Sequence, residues 1–240
     1  MTRSLLLSLL LLPLAAPARA ETGDTVILLH GLGRTRWSFW RVEQALRHDG
    51  YKVVNVTYPS RSQSVEDLAR DFLAPLVAAQ GAAPRLHFVT HSMGGIVLRC
   101  YLRDHAVPNL GRVVMLAPPN AGSELADRLQ PTWLYRTVNG PAGQEMGTAG
   151  LPPALGAWPA GAGELGIIAG DRSLNPLFSF WLPGANDGKV TIASARLAGM
   201  TDFLTVHSSH TWLAWRSAVI AQIKTFLRSG KFAAAGPPAP

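Results

Sequence analysis

Leu86-His87-Phe88-Val89-Thr90-His91-Ser92-Met93-Gly94-Gly95 is the stretch on which the fold turns. Leu86 to Thr90 reads as a strand, and Met93 to His105 reads as a helix. The serine between them then sits on a sharp strand-to-helix turn, with a strained backbone and its hydroxyl projecting above a sheet. The small residues beside it let helix and strand approach closely. The Met93 N–H falls at the helix start, where free donors and the helix dipole favour a developing negative charge. S-x-G-G alone also describes a serine N-cap followed by a glycine turn. The strand–turn–helix setting favours Ser92 as a nucleophile.

The pattern repeats on both sides of this turn. Thr25 to His30 (TVILLH) is a continuous apolar run, as for a strand buried on both faces. Trp37 to His48 has helical spacing at Trp37, Trp40, Val42 and Leu46 and ends near Gly50. Tyr51 to Tyr58 is β-branched and is stopped by Pro59. Ser64 reads as the N-cap of a helix reaching about Gln80, with Asp67 three residues on. Arg112 to Ala117, Glu164 to Ala169 and Asp202 to Val206 read as strands, and Trp212 to Leu227 as an amphipathic helix. Strands alternating with helices predict an α/β fold with a mostly parallel central sheet and helices on both faces. Such sheets hold their ligands beyond the carboxyl ends of the strands.

Two further segments end strands. His30-Gly31-Leu32-Gly33 follows the TVILL run, and its glycines permit a turn that aims backbone N–H groups, that of Leu32 among them, into a cleft. Asn186-Asp187-Gly188-Lys189-Val190 and Val206-His207-Ser208-Ser209-His210 follow later strands. A serine needs a base to take its proton, and the base needs a carboxylate to fix its tautomer. Asp187 and His210 are the candidates, with Asp171 and His207 as rivals. Asp202 is disfavoured because it begins a strand. His30 lacks an evident partner acid, and His91 reads as a packing or pocket residue.

Composition bounds the alternatives. The 240 residues are 48% hydrophobic and 15% charged, enough to form a core and unlike a disordered chain. The net charge of +7 comes without any basic run, so no nucleic-acid footprint is read. The single cysteine, Cys100, excludes an internal disulfide and a cysteine zinc site; it reads as a buried thiol. Residues 1–20 have the order of an export signal: basic Arg3, an apolar run from Leu5 to Ala16, then Ala18-Arg19-Ala20. A mature domain from Glu21 to residue 230 is expected, exported to periplasm or medium, with a disordered tail over 231–240 and no integral membrane segment.

HGLG (30–33), THSMGG (90–95), NDGKV (186–190) and SSHTW (208–212), in this order, resemble the α/β-hydrolase superfamily, and more closely its small bacterial secreted lipases and esterases. The likeness spans nearly all of residues 25–228. It implies a Ser92–His210–Asp187 triad, an oxyanion hole from the Leu32 and Met93 N–H groups, and cleavage of small-molecule or lipid esters without cofactor or metal. Thr90 stands where the family's G-x-S-x-G has its first glycine, a position that needs a small residue for packing. The same triad serves amides, thioesters and acyl transfer, and a non-catalytic lipid- or partner-binding scaffold is the alternative of another class. Residues 119–163 form a long connection, read as a cap of one or two helices over Ser92 or as a packed crossover. Trp133, Leu134, Tyr135 and Trp158 are its candidates for lining an acyl site.

Overall fold

The computed structural model describes residues 23–234. The expected export signal and residues 235–240 of the expected tail lie outside the described residues. Six strands form one sheet: β1 (Thr25–Leu29), β2 (Lys52–Asn55), β3 (Leu86–His91), β4 (Leu110–Leu116), β5 (Leu165–Gly170) and β6 (Asp202–Val206). Their order is β2-β1-β3-β4-β5-β6 and every pairing is parallel. The helices are α1 (Trp40–His48), α2 (Val65–Asp67), α3 (Ala74–Ala78), α4 (Met93–Asp104), α5 (Glu124–Leu129), α6 (Trp133–Gln144), α7 (Pro176–Trp181), α8 (Ile192–Ala195) and α9 (Ser217–Ser229).

Strand alternation sorts the core into two layers. Ile27, Leu29, Phe88, Val113, Met115 and Ile167 face one side, with Leu68, Leu73, Ile96 and Val97. Val26, Leu28, Val89, Val114, Leu116 and Ile168 face the other, with Val42 and Leu46 of α1 and Val219, Ile223 and Phe226 of α9. Burial on both faces explains why the central strands read as unbroken apolar runs. The chain runs from β1 outward to β2, then back across β1 to β3. The carboxyl ends of β1 and β3 therefore flank a switch point, where a crevice opens.

Several elements differ from the sequence reading. Ser64 does accept the Asp67 N–H at 3.0 Å, but its hydroxyl also donates to the Asp67 carboxylate at 2.7 Å. The helix it opens passes through a π-helical stretch over Leu68–Leu73 before α3. The helix expected from Trp212 is two pieces. A 3₁₀ turn over His210–Trp215 comes first, then Arg216 is extended (φ −78°, ψ 128°) before α9 begins. Residues 231–234, expected to open a disordered tail, are tied down. The Phe232 ring lies 4.8 Å from that of Phe226, and its N–H donates to Asp202 at 2.8 Å.

Much of residues 145–163 has no regular structure, yet it is pinned. Arg99 on α4 is buried and donates to Asn120 O and Oδ1 at 3.0 and 3.1 Å and to Leu155 O and Gly156 O at 2.9 Å each. Burial draws its pKa down to about 10, which leaves it charged at neutral pH. Four oxygens would lose their donor in Arg99→Leu, so urea denaturation should show a loss of at least about 3 kcal/mol.

Three buried histidines set a pH dependence. His30, His87 and His91 all have pKa values lowered from 6.5, chiefly by desolvation. Below 6.5 the unfolded chain binds protons that the folded chain refuses, so stability falls with falling pH. The thermal midpoint should therefore drop between about pH 7.5 and 5, and His87→Asn should flatten that slope.

Candidate active site

Ser92 lies between β3 and α4 with φ 54° and ψ −127°, a left-handed backbone that a non-glycine residue rarely adopts. Its N–H donates to Leu116 O at 2.8 Å and its carbonyl accepts the Gly95 N–H at 2.9 Å. Gly94 makes the turn possible: a Cβ there would collide with the Leu29 and His30 carbonyl oxygens. Thr90 is fully buried and packs toward Gly95, in keeping with a packing position.

His210 opens the 3₁₀ turn after β6 and is buried. Its Nδ1–H donates to Asp187 Oδ2 at 2.7 Å. Its own N–H donates to Asp187 O at 3.1 Å, and its carbonyl accepts His91 Nε2–H at 3.0 Å. Asp187 is also buried; its Oδ1 accepts the N–H groups of Lys189 and Val190 at 3.0 and 2.9 Å. The Asn-Asp-Gly bend thus aims one carboxylate oxygen at the imidazole and ties the other to its own backbone. That fixes the ring orientation and leaves Nε2 as the free nitrogen.

Ser92 and His210 line one cavity of about 240 Å³. No hydrogen bond joins the Ser92 hydroxyl to Nε2; bonds of this kind commonly tighten only when substrate is present. Leu32 and Met93 line the same cavity, and among the described residues neither N–H donates to a protein acceptor. The loop that carries Leu32 is braced from behind. Tyr58 N–H donates to His30 Nε2 at 3.2 Å, so His30 Nδ1 carries the proton and donates to Gly31 O at 2.9 Å. The Tyr58 hydroxyl donates to His30 O, and the two rings stack at 4.1 Å. Both His30 nitrogens are occupied, so it is a scaffold residue. The rivals pair with each other: His207 Nδ1 meets Asp171 Oδ1 at 2.9 Å near the surface. Asp202 accepts backbone N–H groups at the start of β6.

Residues of the connection after β4, from α5 and α6 and beside them, line the cavity. Ser123, Leu125, Ala126, Leu129, Tyr135 and Met146 line it, and Phe178 on α7 joins them. Of the four aromatic and apolar candidates only Tyr135 is in the lining. Trp133 and Leu134 are 76% and 57% exposed, because the first turn of α6 points them to solvent. Trp158 is buried elsewhere, its indole N–H donating to Gly163 O at 2.9 Å. Leu125, Leu129, Met146 and Phe178 were not legible as lining residues. Cys100 is buried, and desolvation raises its thiol to about 11, so it is inert. No cluster able to hold a metal occurs among the described residues.

A family model described as "Alpha/beta hydrolase family" matches residues 26–235. The chain belongs to this family. Among curated relatives, the "Probable esterase PIR7A" of Oryza sativa subsp. indica is 34% identical over 121 residues, covering 46% of this chain and 45% of that one. The "Lysosomal thioesterase PPT2" of Homo sapiens is 32% identical over 162 residues, covering 58% and 51%. The chain thus matches about half the length of these relatives. The mature Bacillus licheniformis lipase BlEst2 superposes with a TM-score of 0.67 at 21% identity, covering 90% of this alpha/beta hydrolase chain and 94% of its own. A metagenomic carboxyl esterase gives 0.67 at 20% identity, with 84% and 69% covered. At such identities the two structures speak for the fold.

The two aspartate–histidine pairs can be separated by mutation. Asp187→Asn should lower kcat by about 10⁴-fold on any substrate of this site, by freeing the wrong tautomer of His210. Asp171→Asn should leave kcat unchanged, as steady-state kinetics on the two variants will show.

Proposed function

We propose that this protein hydrolyses carboxylic esters through Ser92, His210 and Asp187. One observation carries the reading: a serine held at positive φ shares a cavity with a histidine whose far nitrogen is bonded to a buried aspartate. His210 Nε2 takes the Ser92 proton as Oγ attacks the ester carbonyl. The negative charge that forms on the carbonyl oxygen faces the Leu32 and Met93 N–H groups, each worth roughly 3 kcal/mol of barrier. The intermediate collapses, His210 returns the proton to the leaving alkoxide, and an acyl-Ser92 ester remains. Water, deprotonated by His210, then cleaves that ester and restores the serine. No cofactor enters these steps.

The apolar lining supports an acyl chain as the group received. Elements bordering the cavity also expose Trp133, Leu134 and Val138 on α6 and Leu177 and Phe180 on α7, which suits apolar esters. The thioesterase among the relatives supports thioesters as a second substrate class for the same nucleophile. Export is proposed as well, with a mature start at Glu21; N-terminal sequencing of the exported protein tests it.

Purified protein should turn over p-nitrophenyl butyrate, and Ser92→Ala should lose at least ~10⁴ in kcat. A fluorophosphonate should label the native chain and not the variant. Retained turnover in Ser92→Ala would refute the assignment. Leu129→Trp, which narrows the cavity between α5 and α6, should shift kcat/KM toward shorter acyl groups across a p-nitrophenyl ester series.

A further inference from the structure

Two cations line the cavity that holds Ser92 and His210: Arg34, two residues after Leu32, and Lys189, two residues after Asp187. No aspartate or glutamate is among the lining residues. Neither cation has an ion pair or a side-chain hydrogen bond among the described residues. Some cations elsewhere pair with carboxylates, Arg47 with Glu43 and Lys224 with Asp49 among them, whereas others such as Arg36, Arg61 and Arg172 have no ion pair among the described residues; what sets Arg34 and Lys189 apart is that both line the cavity of Ser92. Asp187 is committed to His210 and to two backbone N–H groups.

The loops that carry the two cations are anchored through their backbones. Gly33 N–H is anchored on Ser60 Oγ at 3.0 Å, just before Arg34. Lys189 O accepts the Ser123 hydroxyl at 2.7 Å, which ties the acid loop to the start of α5. Lys189 is exposed; desolvation and then the Arg34 charge lower its pKa, against the Asp187 charge, which raises it. Two like charges lining one cavity, with only the Asp187 carboxylate near Lys189 to offset them, favour the arrival of an anion. An arginine fork with a neighbouring ammonium suits a phosphate oxygen array.

We propose that Arg34 and Lys189 form a subsite for a phosphate carried on the leaving-group side of the ester or thioester that Ser92 attacks. This rests on the hydrolase reading above. The lining offers two kinds of surface. Leu125, Leu129, Met146 and Phe178 offer apolar surface to the acyl part, whereas the cations come from the two loops that flank the reacting serine and histidine. A phosphorylated lipid headgroup and a phosphate-bearing thiol share this chemistry.

The test uses two matched substrate pairs. Butyryl-coenzyme A is compared with S-butyryl-N-acetylcysteamine, and dibutyryl phosphatidic acid with dibutyrylglycerol. Wild-type kcat/KM should favour the phosphate-bearing member of at least one pair by about tenfold or more, through KM. That preference should shrink with added salt, and collapse in the Arg34→Gln/Lys189→Gln variant. The pair that shows it separates a thiol carrier from a lipid headgroup. Turnover without preference in either pair, or a preference that survives in the double variant, overturns the subsite and leaves the hydrolase reading intact. If no member is turned over, p-nitrophenyl butyrate and fluorophosphonate labelling decide the hydrolase reading, and calorimetric binding of the two phosphate-bearing compounds to Ser92→Ala decides the subsite. Binding weakened about tenfold by adding the two Gln substitutions supports it; absence of binding overturns it.

Discussion

The left-handed backbone at Ser92 is a strained conformation, of a kind that costs about 1–3 kcal/mol, and the neighbouring elements hold the chain in it. Leu116 O takes the Ser92 N–H, and β4 is thereby made part of the turn. Gly94 lets α4 pass so close to β1 that no side chain would fit. Gly31 repeats the device from the other side, since a Cβ there would lie 3.1 Å from both the His91 ring and Ser92 Cβ. The β1 and β3 ends are therefore one packed unit. The crevice at the switch point of the sheet is the free space that this packing leaves.

Histidines around that crevice differ in what their nitrogens meet, and this sets what each can do. His30 has both nitrogens bonded and braces the loop that carries Leu32. His91 spends Nε2 on the His210 carbonyl, with the two rings 4.7 Å apart, and is kept neutral chiefly by burial. His210 has Nδ1 bonded and Nε2 free. His207 is exposed and paired with Asp171. Proton transfer at Ser92 needs a free nitrogen inside the cavity and a carboxylate to orient the ring; His91 also lines the cavity with Nδ1 unbonded, but of the four only His210 joins a free nitrogen there to a buried aspartate.

The parallel sheet was legible because strands buried on both faces are unbroken apolar runs, and Thr25–Leu29 and Leu165–Gly170 are of that kind. The serine turn was legible because its strand, its glycines and its helix are contiguous. The break at Arg216 was not, since Trp212 to Leu227 keeps a helical spacing across it. The 3₁₀ turn exists because His210 is held at three points by Asp187 and His91, contacts invisible to local periodicity. The lining drawn from residues 119–163 is illegible for a related reason: large aromatics suggest pocket walls, but α6 is rotated so that Tyr135 faces inward and Trp133 outward.

Local pattern in the sequence determined the α/β architecture, the strained serine, and the strand-end positions of every candidate acid and base. Those features are written in contiguous residues, where strand period, turn chemistry and helix start can be read directly. Tertiary structure alone decided that Asp187 meets His210 while Asp171 meets His207, and that Arg34 and Lys189 share a wall with Ser92. Each of these pairings joins residues from different loops. Their meeting depends on how six strands order themselves and on where the chain crosses back between β1 and β3.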